Sequence, residues 1–600
     1  MRSLRTAAFQ MMTGCLILVL WPGFAHTGIA ENRETQDAPP LASLAAMEVS
    51  DLRVAVELYS EDKAGLLRRY EVEYSPVRRE RLRRFYRSWQ QRLAEADFEA
   101  LNREGQIDHI LLGNRIRFEK KMLDVEERNW EEMAPLLPFA GRIRELQEAR
   151  HDRKGVDARE AAGILDRTAA ELESLASALA EEGRKTGGVV KRPGITPAAA
   201  LRAARHTAHL RDVLEDWNRF YHKYDPLFTW WVEVPYRRAA RALDGYTAAL
   251  RRHLVGIQPG EPEPIVGDPI GAEVLQMHLD HEMIPYTAEE LIAIGWKEFN
   301  WIESQFKIVS QEMGFDDDWK AALEHCKALA PPPGEKPRAI FDIAEYSEDF
   351  LDRTGIITVP PLAAEVWRLA MMSRERQRTN PFFGGGEVTR VSYPTRDMDH
   401  QEKLMSMRGN TPYFNFATVH HELIPGHHLQ GFMNRRYNPH RNAFNTPFWV
   451  EGWALYWEFL LWDADFPRVN EERIGMLFWR LHRAARIIFS LSFQLEIMTA
   501  QEAVDFLVDR VGHERANAEA EVRRSALAVP LYQAAYMLGG LQFRAMAREL
   551  IDSGQMTARE FHDAVLRGGR MPVELLRAYL SGEKLRPDFK STWRFYGDLD

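Results

Sequence analysis

The chain has 600 residues, of which 45% are apolar and 28% charged, and its formal net charge is -10. So many charges exclude a polytopic membrane protein, and the acidic balance argues against a nucleic-acid binder, which carries a basic excess. The length allows several folding units or one large helical body, and the apolar fraction suffices for an extensive core.

Residues 1–30 read differently from the rest. Arg2 and Arg5 precede an apolar stretch from Met11 to Trp21, and small residues follow at Gly23, Ala25, Gly28 and Ala30. This is the pattern of a secretory signal peptide, and the apolar run falls short of the about 20 residues that span a bilayer. It predicts an exported protein, periplasmic or extracellular. The mature start falls near residue 26 or 31, and no stable membrane insertion is expected after the signal is removed. Cys15 has a faint likeness to a lipoprotein cleavage box, but most of the apolar run lies after it. Removal of the signal leaves Cys326 alone, so packing rather than a disulfide must stabilise the mature chain.

Residues 31–255 form an N-terminal helical region. From Asp51 to Leu254 apolar residues recur at three- and four-residue steps, which predicts long amphipathic helices. The arginines between Arg68 and Arg92 are interleaved with glutamates and read as a solvated helix face. Gly256 to Gly271, dense in Pro and Gly, is a linker that opens a second helical region at 271–600. Further breaks lie at Ala330–Gly334 and Asn380–Gly386. The alternation from Glu387 to Tyr393 predicts a short strand whose edge can take an extended peptide. The fold class is therefore mainly α with a minor β element.

Chemistry concentrates at residues 420–428, His-His-Glu-Leu-Ile-Pro-Gly-His-His. Four of the 19 histidines fall in these nine positions, where chance places roughly 0.3; clustered histidine is a compositional sign of metal binding. Zinc favours neutral imidazole nitrogen with one carboxylate oxygen, leaving a fourth position for water. The zincin signature H-E-x-x-H puts two ligands at i and i+4 on one helix face, with the glutamate as general base. Here the residue at i+4 from His421 is Pro425, and the next histidines are His427 and His428. On an unbroken helix, i+6 lies about 240° round and about 9 Å along the axis, too far for one ion to bridge. Pro425 and Gly426 can break that geometry and let a following histidine swing back. Either His427 or His428 can then partner His421, with Glu422 in the place of the base.

A third ligand is expected downstream. Thr446 and Pro447 have the form of a helix N-cap and first residue. Glu451 follows in a very apolar run, where an unpaired carboxylate is costly. Glu458, at i+7 on the same face, is the competitor, and a salt bridge to arginine is the alternative for either. The segment His281-Glu282-Met283-Ile284-Pro285 imitates the start of the motif but has no close second histidine; only His278 can pair with it.

The runs HELIPGHHLQ (His421–Gln430) and EGWALYWE (Glu451–Glu458) resemble the bacterial domain-of-unknown-function 885 family, which is similar to zinc metallopeptidases. A third family element, a Tyr-x-Leu-Gly turn after a proline, is matched by Pro530 and Tyr536–Gly539. The resemblance implies a large multi-helix, zincin-like body with the β element near the active site, one Zn2+ ion and a peptide or peptide-like substrate. It implies His421, His427 and Glu451 as metal ligands, because a glycine before the second histidine recurs in such peptidases and Gly426 precedes His427. Glu422 would be the general base and Tyr536 an oxyanion donor. His428, Arg483 and Arg486 are candidate substrate-binding residues, with pairing to Glu451 or Glu458 as the structural alternative for the arginines. A zinc amidase or esterase acting on cell-envelope material, and a non-catalytic helical binding protein, are the competing readings.

Overall fold

The apolar three- and four-residue steps become long helices with polar caps. Helix α1 (Ala158–Thr186) starts at Asp157, whose side chain accepts from the Glu160 amide, and stops at Gly187 in the left-handed region. Helices α2 (Pro197–Tyr221) and α3 (Pro226–Leu250) start at Thr196 and Asp225, each with proline at the first helical position. Both α1 and α2 pack on α3. They enclose Leu165, Leu172, Leu214, Trp217, Phe228 and Leu243, each worth about 1.5–3 kcal/mol of transfer free energy when fully buried. The computed structural model describes residues 46–597, together with 42 and 44, apart from 259–263, 333, 378–382 and 528. The signal-peptide expectation therefore lies outside the described residues. Residues Glu48–Asp600 form one compact unit, and the segment before residue 255 contributes to both of its cores. Val56, Leu82, Ile110 and Leu112 join the larger core, which otherwise comes from Leu275 to Phe595.

That larger core holds α4 (Ala288–Glu312), α5 (Pro412–Glu422), α6 (His427–Asn434), α7 (Pro447–Asp463), α8 (Asn470–Gln494), α9 (Arg515–Leu527) and α10 (Tyr532–Ala547). Helix α8 is central: every residue from Ile474 to Gln494 is buried, and α4, α5 and α10 pack around it. A helix buried on all sides is a core element rather than an amphipathic surface one. Helices α7 and α10 touch backbone to backbone. A Cβ on Gly452 would lie 2.5 Å from the Gly539 carbonyl carbon, and one on Gly539 2.4 Å from the Phe448 oxygen. The expected turn at Tyr536–Gly539 is thus corrected to the interior of α10. Gly539 serves close helix packing there, not chain reversal, and this contact sets Glu451 beside Tyr532 and Tyr536.

The β element is a three-stranded sheet in the order β1 (Arg368–Met371), β3 (Val388–Val391), β2 (Phe383–Gly384). Strand β3 runs parallel to β1 and antiparallel to β2. The strand expected at 387–393 is therefore the middle one, and its edges are already bonded, so it cannot take a peptide by edge addition. The described residues are 71% helical, mainly α with a minor β element. Among the described residues no helix is long and apolar enough to cross a membrane.

Candidate metal centre

The break at Pro425 makes two helices rather than one bulged helix. Helix α5 ends at Glu422 and α6 begins at His427. Between them the Gly426 amide donates to the His420 carbonyl at 2.9 Å. A Cβ at Gly426 would lie 1.9 Å from the His421 oxygen, so only glycine lets the chain fold back so tightly. The return brings the rings of His421 and His427 to 4.7 Å, edge to face.

Helix α7 supplies the carboxylate. Its cap, Thr446, accepts from the Phe448 amide and donates to the buried Glu282. One turn later Glu451 Oε2 lies 3.1 Å from His427 Nε2 and 3.5 Å from His421 Nε2. The three candidate ligand atoms all fall within 4.8 Å of one another. Tetrahedral zinc with bonds of about 2.0–2.2 Å holds its ligands roughly 3.3 Å apart, so the donor set and spacing fit that ion. The electrostatics agree. Burial disfavours a charged His421 ring, yet the carboxylates of Glu451, Glu458 and Glu422 raise its pKa to about 9. Burial likewise disfavours ionised Glu451, but His427 and His421 hold it well below the usual range. The cluster calls for a positive charge, which a divalent cation supplies in place of the imidazole proton.

Glu458 orients the first candidate ligand. The His421 Nδ1–H donates to Glu458 Oε1 at 2.9 Å, leaving Nε2 for the ion, the arrangement that fixes tautomer and ring orientation in metal sites. The competitor at i+7 thus lies behind the ligand rather than beside it. Tyr532 donates to the other Glu451 oxygen at 2.5 Å. Glu458→Gln is expected to weaken zinc affinity by roughly 10-fold or more with the fold intact. Competition with a chelator measures this, and unchanged affinity would leave Glu458 as the partner of Arg483 alone.

A cavity of about 400 Å³ opens on the cluster, lined by Gly384–Gly386, His421, Glu422, His427, Glu451 and Tyr536, with Arg483, Arg486, Arg524 and Arg570 among its other walls. A Cβ on Gly385 would lie 2.0 Å from Glu422 Oε2, so a bare backbone there makes room for the carboxylate. The Tyr536 ring lies parallel to His421 at 6.0 Å. Burial and Glu451 push its hydroxyl up to about 12 despite Arg486 and Arg524, so it is a neutral donor at pH 7. Arg483 donates to Glu458 at 3.1 Å and Arg486 to Glu521 at 2.7 Å. Both arginines reach the cavity, and both are tied to buried acids.

The remaining histidines point elsewhere. The His428 Nε2–H donates to the Ala363 carbonyl at 2.7 Å, and the residue does not line the cavity. His420 is enclosed edge-on by Phe416 and Phe466, each at 5.0 Å, and burial lowers its pKa to about 3. His281 stacks on Phe118 at 4.2 Å. A second grouping of possible ligands, Glu71, His151 and Asp216, is partly exposed and already holds Arg150 at 2.5 Å from Asp216. Sequence reasoning missed Tyr532, Arg524, Arg570 and Gly385. Only Tyr532 had a signal: it stands four residues before Tyr536, on the same helix face.

Fold and site together define a mainly helical protein with a largely buried His–His–Glu cluster suited to a divalent metal. The chain belongs to the DUF885 family, described as "Bacterial protein of unknown function", whose profile matches residues 61–580. A comparison with curated proteins gives no match. Solved structures share the fold, two of them as follows. One, from Shewanella oneidensis, is described as a "putative lipoprotein of unknown function". It is 14% identical, with a TM-score of 0.62, over 88% of this chain and 98% of its own. The other, from Colwellia psychrerythraea, carries a similar lipoprotein description. It is 16% identical, with a TM-score of 0.56, over 89% of this chain and 99% of its own.

Proposed function

We propose that the protein is an exported, zinc-dependent hydrolase that cleaves peptide bonds. The observation that carries this reading is the convergence of His421 Nε2, His427 Nε2 and Glu451 Oε2 on one point of a cavity that Glu422 also lines. A zinc ion held by these three supplies Lewis acidity and acidifies water. Glu422, next in sequence to His421, accepts the proton of the attacking water and returns it to the leaving amine. Tyr536, held neutral, donates a hydrogen bond to the negative charge that develops on the former carbonyl oxygen. Glu458 keeps the His421 ring in place while charge moves, and Tyr532 does the same for Glu451. The signal-like residues 1–30 and the lipoprotein descriptions of both structural neighbours support export to the cell envelope.

Elemental analysis of the purified protein, followed by digestion of a peptide library and a matched ester panel, tests the reading. Bound zinc with peptide cleavage is expected. A metal-loaded protein that hydrolyses esters alone moves the activity to the esterase alternative, and a protein that binds no metal ends the proposal. Tyr536→Phe is expected to lower turnover roughly 10²- to 10³-fold without loss of metal, the effect of removing one oxyanion donor. An unchanged rate would leave Tyr536 a packing residue over His421.

A further inference from the structure

The four arginines of the cavity are not equivalent. Arg483 and Arg486 are held by Glu458 and Glu521. Among the described residues, no carboxylate lies within 4.0 Å of Arg524 or Arg570. Arg570 is held instead by the Asn445 side-chain oxygen at 2.6 Å, in the turn before α7. Arg524, on α9, packs over the Tyr532 ring at 5.2 Å, and Tyr536 acts on its charge electrostatically. Glu521, the carboxylate whose charge reaches Arg524, is bonded to Arg486 at 2.7 Å. A largely enclosed guanidinium that faces a cavity without a counter-ion has its donors available for an anionic ligand. Its planar fork matches a carboxylate bidentately.

Position narrows the choice of anion. Tyr532 carries Arg524 on its ring and Glu451 on its hydroxyl, the latter at 2.5 Å. A ligand on Arg524 therefore sits one tyrosine side chain from a residue of the metal centre. In a peptide, the terminal carboxylate is separated from the scissile carbonyl only by the leaving nitrogen and its α-carbon. Of the side chains only an aspartate on the acyl side of the bond comes as near, and every carboxylate on the leaving side other than the terminal one lies further out.

We infer that Arg524 anchors a substrate carboxylate beside the scissile bond, so that the protein removes C-terminal residues from peptides that end in a free α-carboxylate. This rests on the peptidase reading above. The Tyr532 ring lies under the guanidinium, and Arg570 lines the same cavity as a second cation without a carboxylate partner.

Calorimetry on the zinc-loaded mature chain tests the anchor with three probes. They are N-acetyl-L-alanine, its amide, and the α-amide of N-acetyl-L-glutamate, which carries only a side-chain carboxylate. The free acid is expected to bind roughly 10- to 100-fold more tightly than its amide, the range for a charge-assisted hydrogen-bonded pair. Arg524→Gln should abolish that preference at unchanged metal content, and Arg524→Lys should keep part of it. Equal binding of acid and amide, no binding of either, or a preference that survives in Arg524→Gln overturns the anchor. Binding of the glutamate probe as tight as that of the free acid overturns the C-terminal preference and makes acidic side chains the source. Cleavage of matched free and amidated peptides separates the two readings. If neither is cut while the free acid still binds, the peptidase reading has failed and the anchor stands.

Discussion

Glu422→Gln is expected to leave the fold and the metal content unchanged and to cut turnover roughly 10²- to 10⁴-fold, the usual contribution of a positioned acid–base group. The substitution is isosteric, so it fits the space that Gly385 leaves beside the side chain, where any Cβ would fall 2.0 Å from Oε2. It removes a proton acceptor and none of His421, His427 and Glu451. Glu422 sits at the C-terminal end of α5, directly after His421, and faces the cavity. Turnover on a peptide drawn from the library digestion, zinc by elemental analysis and a thermal melt give three independent readings. Near-normal turnover would remove Glu422 from the chemistry. Loss of zinc together with activity would instead make it part of the metal site.

The cluster of candidate ligands and candidate base was legible because it is local. His421, Glu422, His427 and Glu451 fall within a stretch of about thirty residues, and their types and spacing carry the chemistry by themselves. The helix start at Thr446–Pro447 was equally plain from cap chemistry. What stayed hidden depends on contacts between distant segments. Tyr532 reaches Glu451 because Gly452 and Gly539 let α7 and α10 touch, a relation between residues 87 positions apart that no periodicity reveals. Arg524 looks like any surface arginine of a helix until its lack of a carboxylate partner is seen. Arg483 and Arg486 looked available because their partners were not both visible: Glu521 lies 35 residues beyond Arg486. The middle strand of the sheet was found, but strand order is a tertiary fact, and so is the absence of a free edge on it. Tyr536–Gly539 was read as a turn because glycine serves both turns and close helix crossings, and sequence alone does not distinguish them.

His427→Ala is expected to abolish stoichiometric zinc binding, whereas His428→Ala should keep about one ion per chain, the occupancy of a single tetrahedral site. Adjacent histidines with such different fates follow from where α6 begins. His427 is its first residue, and its Nε2 points back across the break to within 3.1 Å of Glu451. His428 is turned by about 100° on the helix, and its ring meets the Ala363 carbonyl at 2.7 Å outside the cavity. The second variant has a cost of its own. Removing the ring strands a buried carbonyl, a loss of about 1–3 kcal/mol, so His428→Ala should melt earlier while remaining loaded. The two readouts therefore cross: the variant at 427 loses metal, and the variant at 428 loses stability that has no connection with metal. Chelator-treated wild type supplies the control, because metal removal should destabilise it and the His428→Ala protein alike but should not lower the melting temperature of His427→Ala further. Zinc retained in His427→Ala and lost in His428→Ala would mean that the fold-back at Gly426 delivers the other imidazole, and that the ring contact with Ala363 gives way when the ion binds.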